Sequence, residues 1–435
     1  MLILAGHARA RNYAANTYPF RAGSSYLYFG GPPIEGAAWL IEPGSDGQAG
    51  CTLLRPTFGF DDAVWSGESL GDDVLSAAAG VPESALALPD RLNALLSGQA
   101  AAVCPACPVS LAWMASLKIL PPQPEELLAI IEIRLVKDEH ELVAMRTAAR
   151  VSVEGHLAAM RAARPGRREA DVAAALVAAM TAGGCDVSFT PGVTVRGEVL
   201  HSNGYPNTLK SGDLLLVDAG AEEPGGYASD ITRTYPVGGK FSAIQRALYE
   251  TVLRAQQAAI AACVPGRRYR DVHDLAGRVI CEGLVDARLL RGDPADLAAR
   301  GVQTLFFTHG VGHLIGLDVH DMEDFGDLAG YGPGRARRQE FGHKFLRLDR
   351  DLRPGMTVTI EPGVYLVPAL WRNAEMVTRF ADAVNRPAIE QLLNSGFGGI
   401  RIEDTVCVRD ANAPEVLTGA LPTGADQVTA IVGSA

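Results

Sequence analysis

Residues 158–180 read AAMRAARPGRREADVAAALVAAM, and residues 258–280 read AAIAACVPGRRYRDVHDLAGRVI. Pro-Gly-Arg-Arg and Asp-Val recur at an offset of 100 residues, with helical apolar patterns on both sides. Pro-Gly stops one helix, and a second begins just after it. A helix–turn–helix used twice implies two similar halves related by a pseudo-twofold axis. Such halves meet at a shared cleft, a natural place for a site. A solenoid does not fit, because it needs at least three short repeats.

Upstream of the repeat, Asp138-Glu-His-Glu141 gives a D-x-x-E capping signal before a long helical pattern through Leu142, Met145 and Ala149. The residues before it read as a mixed α/β unit. Leu2 to Ala5, Ala37 to Ile41 and Cys51 to Leu54 are short strand-like runs split by Gly and Pro. Pro121, Pro122 and Pro124 mark a break near the end of this unit. A chain of 435 residues exceeds what one core usually organises. The expected division is an N-terminal α/β domain over 1–134 and a second domain over 135–435. The fold class is α/β (α+β).

Composition is that of a globular protein, 48% hydrophobic and 20% charged. A net charge of −11 disfavours nucleic acid and anionic membrane as partners, since both require basic patches. The N-terminal run MLILAGHARARN is too short for a signal peptide, and its charge follows the apolar stretch. No apolar stretch reaches the ~20 residues that span a bilayer. A cytoplasmic protein is expected. The seven cysteines are dispersed and odd in number, which does not read as a disulfide framework. Cys104-Pro-Ala-Cys107 is a lone CxxC, read as a pair of ordinary buried thiols.

Acids end several apolar strands. Leu214-Leu-Leu-Val-Asp218 precedes a Gly-rich turn and then Tyr227-Ala-Ser-Asp230. Met356-Thr-Val-Thr-Ile-Glu361 and Gly399-Ile-Arg-Ile-Glu403 repeat the pattern. A buried unpaired acid is costly, and two facing acids resist joint ionisation. A cation removes both problems. Residues 306–321, FFTHGVGHLIGLDVHD, add His309, His313 and His320 among three interrupting glycines, which argue against a zinc-protease helix. Four acids and a histidine make an oxygen-rich set for two divalent ions of the Mn, Co or Zn kind. Paired ions acidify a bridging water and polarise a carbonyl, which is hydrolytic chemistry.

The ordered segments DAG…SDITRTYPVGGKFS, HGVGHLIGLDVHD, LRPGMTVTIEPGVY and GGIRIEDTV resemble the pita-bread, M24-type metallopeptidases that include methionine aminopeptidase, aminopeptidase P and prolidase. The resemblance covers roughly residues 135–410. It implies a creatinase-like, ribonuclease-H-like α/β domain before a pseudo-twofold pita-bread catalytic domain. It implies Asp218, Asp230, His313, Glu361 and Glu403 as ligands of two divalent ions, manganese first, with Asp230 and Glu403 bridging them. His309 and His320 then line the site. His320 and His201 would stabilise the substrate carbonyl, Arg401 is similar to an active-site arginine, and Thr232 would support a bridging carboxylate. Glu361 would assist deprotonation of a hydroxide bridging the metals. Two departures stand out. The Asp218–Asp230 interval is twelve, one longer than usual, which predicts a bulged hairpin turn, and Ser202 follows His201 where Tyr is common.

The intervals His320 to Glu361, 41 residues, and Glu361 to Glu403, 42 residues, are similar to prolidases and longer than in aminopeptidase P. Within the first, KFLRLDRDLRPGM places Arg347 where prolidases hold an arginine for the substrate's C-terminal carboxylate. A planar guanidinium can bind that carboxylate bidentately and also block a longer peptide. The expectation is an Xaa-Pro dipeptidase that releases C-terminal proline, acting on small peptides as a homodimer. The alternatives are an Xaa-Pro aminopeptidase on longer peptides and a metal-free binding protein on the same fold. Organophosphate hydrolysis is a side activity implied by the resemblance.

Overall fold

The computed structural model describes residues 1–43, 49–92, 100–105, 107–202, 204–410 and 413–434. They form two compact units, Met1–Arg134 and Leu135–Ala435.

The first unit is built on a five-stranded sheet in the order Leu86–Ala87, Ala49–Leu54, Ala38–Pro43, Leu2–Leu4, Ala102–Val103. The two edge strands run parallel to their neighbours and the central pairs antiparallel. Leu2, Leu4, Ala38, Leu40 and Leu54 share a core with Met114 and Ile119, as the period-two alternation of a strand requires. Pro124 opens the helix Pro124–Leu135. The prolines mark the start of the last helix of the unit, with Pro124 ten residues before the unit ends, at a position where a missing N–H costs nothing. Cys104 and Cys107 are half-buried free thiols, which corrects the expectation of buried ones; Ala106 between them lies outside the described residues.

In the second unit the predicted cap is present. The Asp138 carboxylate accepts from the Glu141 N–H at 2.9 Å, and the Asp138 N–H donates to Glu141 Oε2 at 2.9 Å. The helix Glu139–Ala162 follows and packs on Glu169–Ala182; Ala243–Ala261 packs in the same way on Tyr269–Asp286. The two Pro-Gly-Arg-Arg turns are structural equivalents. Gly166 and Gly266 take φ of +86° and +77°, a region that suits glycine. Gly166 N–H donates to Leu209 O at 2.9 Å, and Gly266 N–H donates to Leu352 O at 2.8 Å.

These partners expose a second layer of the repeat. Leu209-Lys-Ser-Gly212 leads into the strand Leu214–Ala219, and Leu352-Arg-Pro-Gly355 leads into Thr357–Ile360. Gly212 and Gly355 again have positive φ, +90° and +83°. Asp218 and Glu361 stand at the same distance beyond them, so they are equivalent acids of the two halves.

Leu214–Ala219 lies between Gly192–Thr194 and Ile231–Pro236, both antiparallel to it. Thr357–Ile360 pairs with Asp404–Cys407, and Gly363–Tyr365 with Gly399–Arg401. A bridge between Thr232 and Glu403 joins the two systems, with Glu403 N–H donating to Thr232 O at 3.0 Å.

The 218–230 hairpin keeps its register. Ala219 pairs with Ile231, and further out Glu222 pairs with Ala228 in the same frame. The ladder itself carries no bulge, and the extra length lies in the turn at 223–227 beyond the Glu222–Ala228 pair. Asp218 pairs with Thr232, and Asp230 lies two residues before Thr232, so Asp218 and Asp230 share one face of the hairpin. Gly220 makes the close approach possible, because a Cβ there would lie 1.6 Å from Ser229 O.

Arg233 locks the seam from behind. Its fully buried guanidinium donates to Asp404 Oδ1 at 2.9 Å, to Glu403 O at 2.6 Å and to Leu421 O at 2.9 Å. Arg233→Met removes one partner of a buried pair. Denaturant unfolding should read a loss of roughly 3–5 kcal/mol; a loss within measurement error would show that Asp404 is held well enough by Gln256 and Thr418, which donate to it at 2.7 and 2.6 Å.

Candidate active site

Ten of the residues singled out in the sequence line one cleft of about 740 Å³ in the second unit: Asp218, Asp230, His313, Glu361, Glu403, His201, His309, His320, Arg347 and Arg401. Asp218 comes from the end of its strand, and Asp230 stands just before the partner strand. Glu361 follows Ile360, which pairs with Asp404, so Glu361 and Glu403 face each other across that ladder.

His313 is held on both sides. Its N–H donates to Thr359 Oγ1 at 3.1 Å, and its carbonyl accepts from Thr359 N–H at 3.0 Å. Gly312 must lack a side chain here, since a Cβ would meet Thr359 O at 2.0 Å. The ring Nδ1 lies 2.9 Å from Leu314 O. A carbonyl only accepts, so Nδ1 carries the proton and the Nε2 lone pair faces the cleft. Nε2 is 3.6 Å from Asp230 Oδ2 and 3.7 Å from Glu361 Oε1. These separations are too long for hydrogen bonds. They approach the spacing of atoms sharing one ion, for which ligand distances of about 2.0–2.2 Å are usual.

The carboxylates repel one another. Burial lifts Asp230 to about 6, against the pull of His313 and with Asp218 adding to the rise. Burial lifts Glu361 to about 7. Glu403 is pushed well above the ordinary range by burial and then by Asp230, Glu361 and Asp218. Asp230 Oδ1 is buried with no hydrogen-bond partner among the described residues. One atom each from Asp230, His313 and Glu403 lies within 4.8 Å of the others. A divalent cation fits this donor set: it satisfies the orphaned oxygen and offsets the shared charge.

Arg401 ties the surroundings together. It donates from Nε to Thr232 Oγ1 at 2.9 Å, from Nη1 to Tyr365 Oη at 3.1 Å, and from Nη2 to Asp218. Thr232 Oγ1 donates in turn to Glu403 Oε2 at 2.6 Å. Tyr365 Oη lies 2.8 Å from His309 Nε2, and His309 Nδ1 lies 2.7 Å from Gly310 O. Burial, then the Arg401 charge, depresses His309 to about 3. The ring is neutral, donates from Nδ1 and accepts from Tyr365.

Sequence reasoning missed Tyr365 and Glu323. Tyr365 reads as an ordinary strand aromatic; its one signal is the flanking glycine, since a Cβ on Gly363 would lie 2.3 Å from its hydroxyl. Glu323 sits in a charged loop, accepts from Arg347 Nη1 and lies 3.6 Å from His320 Nδ1. Tyr365→Phe leaves a guanidinium N–H and an imidazole nitrogen unpaired. The expected loss is about 1–3 kcal/mol in chemical denaturation, and an unchanged midpoint would show the hydroxyl to be dispensable.

Comparison with known proteins places this geometry. The description "Metallopeptidase family M24" matches residues 143–410, and "Aminopeptidase P, N-terminal domain" matches residues 1–103. The human Xaa-Pro dipeptidase is 36% identical over 297 residues, which cover 66% of this chain and only 58% of the human protein. The Xaa-Pro aminopeptidase of Haemophilus influenzae is 30% identical over 433 residues, covering 97% of this chain and 90% of that protein. Zn-substituted Escherichia coli aminopeptidase P, solved in complex with product, superposes with a TM-score of 0.78 at 27% identity, covering 99% of this chain and 93% of that one. The four acids and His313 all fall within the matched 143–410 segment, on a mixed α/β fold shared from end to end with aminopeptidase P, and the chain belongs to metallopeptidase family M24.

Proposed function

We propose that this protein hydrolyses the Xaa-Pro bond of dipeptides, using two divalent ions held by Asp218, Asp230, His313, Glu361 and Glu403. The observation that carries the reading is the convergence of these side chains from both halves on one cleft whose wall also bears Arg347. Bound ions would supply Lewis-acid polarisation of the scissile carbonyl and a water acidic enough to attack near neutral pH.

The chain's own residues supply the rest. Glu361, on the cleft, would take a proton from the attacking water at a carboxylate oxygen. Burial, then His313 and Arg347, depress His320, so its ring stays neutral and can donate one N–H to the carbonyl oxygen as charge develops there. His201, on the same cleft, would donate alongside it. Arg401 orients Asp218 directly and Glu403 through Thr232. Phe341, Phe345, Val319 and Leu370 give the cleft apolar walls for a pyrrolidine ring and exclude water from it. Arg347 would bind the dipeptide's carboxylate.

The oxygen-rich donor set with one imidazole supports manganese, with cobalt or zinc as substitutes. The net charge of −11 supports a protein without nucleic-acid or membrane partners, and among the described residues no helix is long and apolar enough to cross a membrane. A cytoplasmic homodimer completes the proposal.

A second reading, an aminopeptidase on longer peptides, is supported by the full-length match to the Haemophilus influenzae aminopeptidase and by Glu323, which already engages Arg347. Initial rates on Ala-Pro and Ala-Pro-Ala separate the two, with manganese-loaded and metal-stripped protein. Metal-dependent cleavage of the dipeptide alone supports the first reading. Clear cleavage of the tripeptide sinks it and supports the second. No metal-dependent rate on either removes both.

A further inference from the structure

A second group of metal-ligating side chains lies outside the set assigned to catalysis. His273 and Asp274 sit on the helix Tyr269–Asp286, and His343 opens the short turn His343–Phe345. One ligand atom from each lies within 4.8 Å of the others. His273 is only 3% exposed. Its ring is packed against Phe307 and His343, at centroid distances of 5.3 and 5.6 Å. Its Nδ1 is buried with no hydrogen-bond partner among the described residues. Burial, then the nearby His343, keeps the ring neutral, so a nitrogen lone pair is available.

The present occupant is Arg338. Its Nη1 lies 3.4 Å from Asp274 Oδ1 and 3.3 Å from His343 Nδ1, and its Nη2 lies 3.4 Å from Asp274 Oδ2. These contacts are longer than good charge-assisted hydrogen bonds. The Arg338 side chain is 35% exposed, so it can swing into solvent at little cost.

We propose that His273, Asp274 and His343 form a further divalent-cation site, which a zinc-like ion enters by displacing the Arg338 guanidinium. Two imidazoles and one carboxylate suit borderline ions of the zinc, cobalt and nickel group and not calcium or magnesium. A recess of about 300 Å³, lined by Arg338, Glu340, Phe341 and His343, gives the ion a way in, and Glu340 brings another carboxylate to its rim. Phe341 lines both this recess and the large cleft. His343 precedes Arg347 by four residues. An ion here would therefore pin the segment that carries Arg347 to the helix Tyr269–Asp286. The site does not depend on the peptidase reading, because its occupancy is measured without turnover.

The test is equilibrium dialysis of the metal-stripped full-length chain against zinc, with bound zinc counted per chain. The parent should bind one zinc more than His343→Ala. Arg338→Ala should bind that zinc at least tenfold more tightly than the parent, since the competing cation is gone. Equal counts in the parent and folded His343→Ala overturn the proposal. Should His343→Ala not fold, Arg338→Ala decides alone: tighter binding is a gain that misfolding cannot mimic, and unchanged affinity overturns the site.

Discussion

Metal-stripped Glu403→Gln protein is expected to melt higher than the metal-stripped parent at pH 8, while its turnover with ions restored falls more than about 100-fold. The two effects share one cause. Glu403 is 2% exposed and sits among Asp218, Asp230 and Glu361. Without an ion, ionising it costs desolvation and repulsion. Gln keeps the shape and can still accept from Thr232 Oγ1, but it carries no charge and is a poor ligand. The pH dependence has a definite sign. Asp230 and Glu361 have folded values raised to about 6 and about 7, above the ordinary carboxylate range. The metal-free fold binds their protons more tightly than the unfolded chain does. Their contribution to stability is therefore largest below about pH 4 and is lost as pH rises through about 6 and 7, and Glu403, which burial also raises, adds to the loss. Added manganese should raise the melting temperature by about 3 °C or more at pH 8 and by less at pH 5.5. An equal shift at both pH values, or a lower melting point for metal-free Glu403→Gln, would mean the acids are not held together as charge-bearing ligands.

Arg347→Ala is expected to raise KM for Ala-Pro by about 10–100-fold and to leave kcat within a few fold. That range corresponds to losing a hydrogen bond between charged groups, roughly 1.5–3 kcal/mol. The carboxylate it would hold is remote from the scissile bond and bound alike in ground and transition states, so the loss falls on KM. Arg347→Lys should recover only part of it, because an ammonium cannot pair bidentately. Glu323 engages Nη1 and would leave the rest of the guanidinium to a substrate carboxylate. A parent-like KM in Arg347→Ala would remove the clamp and favour the aminopeptidase reading.

Much of the site was legible because its chemistry is written in strand ends. An acid closing an apolar run, as at Asp218 or Glu361, is anomalous enough to notice in a sequence. The repeated Pro-Gly-Arg-Arg was legible because a positive-φ turn tolerates few alternatives. The second layer of the repeat escaped notice, since Leu209-Lys-Ser-Gly212 and Leu352-Arg-Pro-Gly355 share only a leucine and a glycine. The hairpin register failed for a different reason. A twelve-residue interval suggests an extra residue in the ladder, but the added length is absorbed in the turn at 223–227, beyond the Glu222–Ala228 pair, and the ladder inside it is undisturbed. Tyr365 and Glu323 were invisible because their importance lies in contacts made across the chain: Tyr365 reaches His309 56 residues upstream, and Glu323 reaches Arg347 24 residues downstream.

The bridge between Thr232 and Glu403 has a consequence for how the molecule is made. The two residues are separated by 171 positions in the chain. At roughly 5–20 residues per second of synthesis, the strand Ile231–Pro236 emerges about 10–30 seconds before the segment that will cover it. For that interval Asp218 and Asp230 stand on a finished hairpin with no imidazole and no opposing glutamates. On the proposed ligand set, an ion arriving early would find only two of the five donors. Metal capture on that set would be a late event in the life of a nascent chain.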